Sequence, residues 1–558
     1  MEQAVAAFKS CLVGLTPYQQ VGPGAKRERR KILEELLKVL MVDERVQLKV
    51  LETGDLLVVC DKGHVGEERD NREHAEAMRV WKLSRRLALS VRSTYALPRT
   101  CSRQQLDITR ALLTPYKAKT YSVTAASMSQ RSAAVTDLSR VVREQVLLAK
   151  ECDALVLHNP EVWVIICPDA TPLWNTSATK CDVFVHLWGG VEGGIEAAGN
   201  PARWAIWWAL DGPDDAPCLR AIDVTCGLHE QIVALEQEDI IINGIRARIR
   251  CFLTGDGKAM RAMNHGDGDK QSCPCCNDPH SLQPSDMVMD VVRWGAFLRC
   301  IPVYRRVGDF VHGQCRVANA FWKRLRAMVA TWAVGVPGSR AGLQALHQIF
   351  VDLKNEAQAI PPSERLAPRR TKEGTLDIST ARLFWDASHF HQRCVLVLKE
   401  HFGGFKVGGL YVHALINVLL SSFSAMHTLW RKKVPLTNEE VQRCKGYAQK
   451  VGWCWGKLGW SVTPWVHWVV AHSGFFIQNY RSLYIFSSIP CEQRNQRFKR
   501  GLKNSMRGWS LSRPRQTKRG LTHVVNMESF DIGLIGAAAR VVKGRCLLRK
   551  KKKRRYQP

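Results

Sequence analysis

The sequence predicts an α/β protein in which a sheet of four strands is followed by a long helical segment, and three observations lead there. Between Glu161 and Asp256, β-branched and aromatic runs (VWVIIC, CDVFVHLW, RWAIWWAL and RCFLTGD) are separated by turns rich in Gly, Asn and Pro. Across residues 277–480 apolar residues recur instead at spacings of three and four. Acids close the first and fourth runs, Asp169 in IICPDATPLW and Asp256 in RIRCFLTGDGK.

Composition bounds the partners. The chain has 558 residues, of which 46% are apolar, enough to bury a sizeable core in two to four domains. Its formal net charge of +30 favours a polyanion, with nucleic acid before membrane, because neutralised phosphates release counterions. The 19 cysteines form no regular framework, and Glu2 and Lys9 interrupt any secretory leader, so a reducing compartment is expected. Two uncharged runs, Tyr411 to Trp430 and Trp460 to Tyr480, approach spanning length but carry His with Ser, Thr, Asn or Gln; buried helices and no membrane are expected. The terminal LLRKKKKRRYQP reads either as a nuclear localisation or phosphate-binding tail or as a solvated charge run.

In chain order, residues 1–158 are basic and predicted helical, with KRERRKILEELLKVLMV and TDLSRVVREQVLLAK as amphipathic helices and LLVVC as a short strand. Residues 159–276 hold three strands, a helix in LHEQIVALEQEDIIINGI and a further strand. That order, with acids at the first and fourth strands, is the order of a ribonuclease-H-like core. Residues 277–480 form a large α-helical insertion, with Pro361 and Pro362 marking an exposed joint. Residues 481–530 return to close the core, and 531–558 form the basic tail.

Asp169, Asp256 and Glu492 are the candidate catalytic residues, as ligands for two Mg2+ (or Mn2+) ions. Such ions prefer hard oxygen donors and, in pairs, activate an attacking oxygen while steadying a leaving one. A strand-end Asp also serves as a turn former or helix cap. Asp182, Asp211 and Asp223 compete for the first position; Asp182, which begins a strand, and Asp211, which opens a Gly-Pro turn, look structural. Cys273 and Cys276, with His467 and His472, have the residue types of a tetrahedral Zn2+ site that would tie the insertion's exit to the preceding core strand. Two histidines five apart point about 140° apart on a regular helix. A helix end or break is therefore required, and Gly474 offers one. Cys275, His265 and His280 are substitutes, and core histidines with free cysteines are the plain alternative. Arg494, Arg497, Lys499, Arg500, Lys503 and Arg507 lie beside Glu492 and can position DNA phosphates, or form a solvated basic face. Trp453, Trp455, Trp460, Trp465 and Trp468 are read mostly as core, though an aromatic there can stack on a base.

FLTGD leading to Cys273 and Cys276, HxxxxH preceding Glu492, EQRNQRFKR, and VHGQCRVANAFWKRL from Val311 together resemble the catalytic core of the Transib transposases and the V(D)J recombinase catalytic subunit. The resemblance spans about Glu161 to Ser510, and the hAT and Kyakuja, Dileera and Zisupton transposases are related. It implies a DDE transposase that cleaves and transfers DNA strands at element ends, with Asp169, Asp256 and Glu492 holding Mg2+ and Cys273, Cys276, His467 and His472 holding zinc. It further implies double-stranded DNA as partner, a homodimer that pairs two ends, and a nuclear location. The family's ring-type and nonamer-binding modules have no counterpart in residues 1–158. From a different class, the alternative is a domesticated, catalytically inactive nucleic-acid-binding protein.

Overall fold

The computed structural model describes residues 46–50, 56–60, 114–124, 130–152, 161–173, 176–188, 194–242, 244–256, 296–334, 339–360, 375–506 and 520–529, with isolated positions from 260 to 282 and at 531, 532 and 535. The KRERRKILEELLKVLMV helix lies outside them, as does the basic tail apart from 531, 532 and 535. Within them the fold is mixed α/β, one curled mixed sheet with helices on both faces.

A small antiparallel hairpin, β1 (Val46–Val50) with β2 (Leu56–Cys60), contains the expected LLVVC strand. The main sheet holds β3 (Lys119–Val123), β4 (Arg131–Val135), β5 (Glu161–Leu173), β6 (Thr176–Trp188), β7 (Ala205–Leu210), β8 (Asp239–Ile242), β9 (Ile245–Gly255) and β10 (Arg306–Gly308). Their order is β10-β9-β5-β6-β7-β4-β3, with β8 pairing the start of β9. The pairs β5–β6 and β6–β7 are antiparallel, whereas β9 lies parallel to β5 and β10 parallel to β9.

Three corrections follow for the expected boundaries. TDLSRVVREQVLLAK is a helix, α1 (Leu138–Cys152), yet α1 packs on β6 and β4 pairs with β7, so this stretch belongs to the sheet and not to a separate N-terminal region. The strand β10 lies inside the nominal insertion. Asp169 does not end its strand, because the β5–β6 ladder runs on through Asp169↔Lys180 to Leu173↔Thr176.

Both faces of the sheet are apolar because both are covered, which is why VWVIIC shows no polar alternation. Val162, Val164, Ile166, Val183, Val185, Cys251 and Leu253 face α1, α3 (Ala216–Cys226) and α4 (Leu228–Gln237), with the short α2 (Gly194–Ala198) lying before β7. Trp163, Ile165, Cys167, Phe184 and Phe252 face the opposite way, into the core shared with the later helices. Those helices are α5 (Phe310–Trp332), α6 (Ser339–Ala359), α7 (Ile378–Asp386), α8 (Ser388–Phe402), α9 (Val412–Trp430) and α10 (Asn438–Lys457). Their starts carry local signals: Asp309 caps α5, Asp377 caps α7, and Thr437 with Glu440 forms a reciprocal capping box on α10. Among the described residues α9 alone is long and apolar enough to cross a membrane; it packs against α8 and α10, with 50% of its most apolar window buried.

After α10, one α-helical turn, Pro464–His467, runs into a π-helical segment, Trp468–His472, and then α11 (Ser473–Tyr480). Trp468 packs on β10, where a Cβ at Gly308 would sit 3.1 Å from its ring, so glycine permits the close approach. The chain returns to the sheet through α12 (Ile489–Met506), and helix 520–529 docks beside the opening of the sheet through Asn526 to Ala118 N (2.8 Å) and Ser529 with Tyr116.

Candidate active site and metal centre

The parallel register of β5 and β9 pairs Ile166 with Leu253. Three residues further along are Asp169, within β5, and Asp256, just past the end of β9, which therefore stand level on neighbouring strands. An odd step from Ile166 and Leu253 turns both toward the opposite face, the one that Ile165, Cys167 and Phe252 line. The helix α12 crosses this face: it packs on β5, and Asn495 Nδ2 donates to Asp169 Oδ2 at 2.7 Å. Phe486, just before α12, is tied to the end of β9 by Thr254 Oγ1 donating to its carbonyl at 2.8 Å.

Glu492, in the first turn of α12, and Asp256 both act on the Asp169 carboxyl. Burial pushes that group up to about 7, the Lys180 ammonium opposes the rise, and repulsion from Glu492 and Asp256 adds to it while the Asn495 hydrogen bond again opposes it. Glu492 and Asp256 are thus both near enough to Asp169 to act on its ionisation.

Two groups beside Glu492 were not singled out by the sequence. His312, in the first turn of α5, places Nε2 at 3.0 Å from Glu492 Oε1 and Nδ1 at 2.6 Å from Asp309 Oδ2. Asp309 is fully buried and also accepts from Ser488 Oγ at 2.5 Å. Burial works against charging His312, but Glu492 first and Asp309 second overcome it and hold the imidazole protonated well above the usual histidine range. In the sequence VHGQCRVANAFWKRL stands out only as resembling the helix after the CxxC; a histidine three residues after an Asp at the start of that helix is the available signal.

Of the competing acids, Asp182 is fully buried in an ion network with Lys180 and with Arg494 (3.2 Å). Asp223 accepts from the backbone of His229 (2.9 Å) and Leu298 (3.2 Å), and Asp211 lies buried just after β7. The structural reading of Asp182 and Asp211 fits these environments.

The expectation that Arg494 contacts DNA phosphates needs correction. Its side chain is only 6% exposed and is spent on the Pro201 and Trp204 carbonyls, Asp182 and Glu528. One turn further, Lys499 is half-buried on α12. The side chains of Arg497, Arg500 and Lys503, and Arg507 as a whole, lie outside the described residues. Among the tryptophans, Trp455, Trp460, Trp465 and Trp468 are buried and pack edge to face in pairs, while Trp453 is 49% exposed.

Cys273, Cys276, His467 and His472 come together across the chain, with all four ligand atoms within 4.8 Å of one another. Cys276 Sγ is 3.1 Å from His467 Nε2, which is 3.0 Å from His472 Nε2. The break that aligns the histidines is the π segment and not Gly474. Its i→i+5 bonding, seen in Ser473 N to Trp468 O, brings residues five apart onto one side. His467 Nδ1 lies 2.6 Å from the Ser281 carbonyl, which can only accept, so the proton sits on Nδ1 and Nε2 is left as a ligand. This Cys2His2 cluster can hold a metal such as zinc. Cys275 donates its backbone N–H to Cys273 Sγ (3.3 Å) but is not part of the cluster, and His265 and His280 lie outside the described residues.

The chain matches no model of a known protein family and no curated protein.

Proposed function

We propose that the chain is a DDE-type DNA transposase or recombinase, built on a ribonuclease-H-like core with a helical insertion. The observation that carries the reading is the convergence of Asp169, Asp256 and Glu492 on one face, from two adjacent parallel strands and a helix that returns after the insertion. The order of three antiparallel strands, helices and a fourth strand laid parallel to the first supports the core assignment. The net charge of +30 supports nucleic acid as the substrate class.

Asp169, Asp256 and Glu492 would hold Mg2+ or Mn2+. Bound there, the ions would supply charge stabilisation for attack on a DNA phosphodiester, first by water and then by a freed 3′-hydroxyl. The chain's own contributions are separate. His312, anchored by Asp309 and Ser488, orients Glu492; Asn495 orients Asp169; Lys180 donates to the Cys491 carbonyl at 3.0 Å and fixes the start of α12 over the sheet. Cys273, Cys276, His467 and His472 would hold zinc. The four, buried except for the half-buried Cys276, suit a structural site that pins the segment following β9 to the insertion's exit. A dimer that pairs two DNA ends, in the nucleus, completes the proposal.

The test is nicking of double-stranded DNA by the full chain with Mg2+ or Mn2+, compared with Asp256→Asn. Metal-dependent nicking lost in the variant supports the reading. Binding of DNA with no cleavage under any metal would favour a domesticated binding protein.

A further inference from the structure

Resting on the carboxylate site proposed above, we infer that Asn495 is a positioning residue for Asp169 and also presents a neutral oxygen to the divalent cation or to a water bound on it. Asn495 follows Glu492 by three residues on α12, so one helical turn brings both to the same face. Its Nδ2 donates to Asp169 Oδ2 at 2.7 Å. Its Oδ1 is buried and has no hydrogen-bond partner among the described residues.

The amide orientation is fixed by its neighbour. Turning it over would set Oδ1 against a carboxylate oxygen, two acceptors without a proton between them. With nitrogen committed to Asp169, the oxygen is the edge left for something else. Buried amide oxygens are rarely left without a donor or a cation. The amide lies against Asp169, on whose carboxyl Glu492 and Asp256 both act, and Lys180 is already committed to Asp182 and the Cys491 carbonyl. An uncharged amide oxygen is a hard donor that suits magnesium or manganese and adds no repulsion to three acids.

The test is Mn2+ binding by the zinc-loaded full chain, followed by electron paramagnetic resonance of free Mn2+. Asn495→Ala should weaken Mn2+ binding by about 10- to 100-fold, the usual effect of losing a group that orients a ligand. Zinc content should stay that of the wild type. If Asn495→Ala does not fold, Asn495→Gln keeps the amide but displaces it, and the same loss is expected. Unchanged affinity in the folded variant, while Glu492→Gln loses it, overturns the role of Asn495 and leaves the carboxylate site standing. No saturable Mn2+ binding by the wild type overturns both.

Discussion

His312 Nε2 lies 3.0 Å from Glu492 Oε1, joining the first turn of the helix that opens the insertion to the first turn of the helix that returns from it. Nothing in the sequence brings positions 312 and 492 together; the packing of two helix starts over one sheet end does. Asp309 holds the other ring nitrogen and is itself held by Ser488, so the imidazole has a fixed plane and both nitrogens protonated. Removing His312 would leave Glu492 without its orienting donor. His312→Ala is therefore expected to lower metal-dependent DNA nicking by about 10- to 100-fold while zinc content stays at the wild-type level. Nicking rates and metal analysis on one preparation check it; wild-type rates would deny His312 this role.

The Cys2His2 cluster joins residues 273 and 276 to the π segment across nearly two hundred residues of chain. About one zinc per chain is expected on purification, and Cys276→Ser should lose it. Chelation or that variant should lower the melting temperature, because a closed metal site contributes directly to folding. Full zinc content in Cys276→Ser would remove Cys276 from the ligand set.

Asp169 on β5 and Asp182 on β6 lie on one face of the sheet but should behave oppositely. Asp182→Ala takes the ion partner of buried Lys180 and one of the two carboxylates on Arg494, and should destabilise the protein by about 3–5 kcal/mol in denaturant titration. Asp169→Asn should leave stability equal or higher, since its carboxyl is held up to about 7 by burial and by like charges. Equal losses in both would make Asp169 another structural acid.

The pH dependence carries a definite sign. A carboxyl raised from 3.8 to about 7 binds its proton more tightly folded than unfolded, so its contribution to stability is complete below the unfolded value and is lost as pH rises between the two. Without divalent ions, melting temperature should fall from pH 5 to pH 8 more in the wild type than in Asp169→Asn. Mn2+ competes with that proton and should raise the wild-type melting temperature more at pH 8 than at pH 6. A parallel response in both proteins would show that Asp169 does not titrate in this range.

The parts legible in the sequence were those with a strong local period. VWVIIC, CDVFVHLW, RWAIWWAL and RCFLTGD each carry bulky β-branched or aromatic residues, and all four are strands. RSAAV, small and short, gave no such signal, so β4 and its neighbour were placed with an N-terminal helical region. RVG is only three residues long and takes its strand form from pairing with β9. The five-residue histidine spacing flagged a break in helical geometry, but only the fold shows a π segment there. Arg494 looked like its basic neighbours because charge is visible in a sequence and burial on one helix face is not.

The most direct measurement of the central claim is cleavage of labelled DNA carrying the element's own flanking ends, with Mg2+ or Mn2+, by the wild type and by Glu492→Gln. This change keeps the side chain's shape and removes its charge. The account predicts nicking by the wild type and its loss in the variant, with DNA binding retained in both. Equal nicking by the two proteins would contradict it.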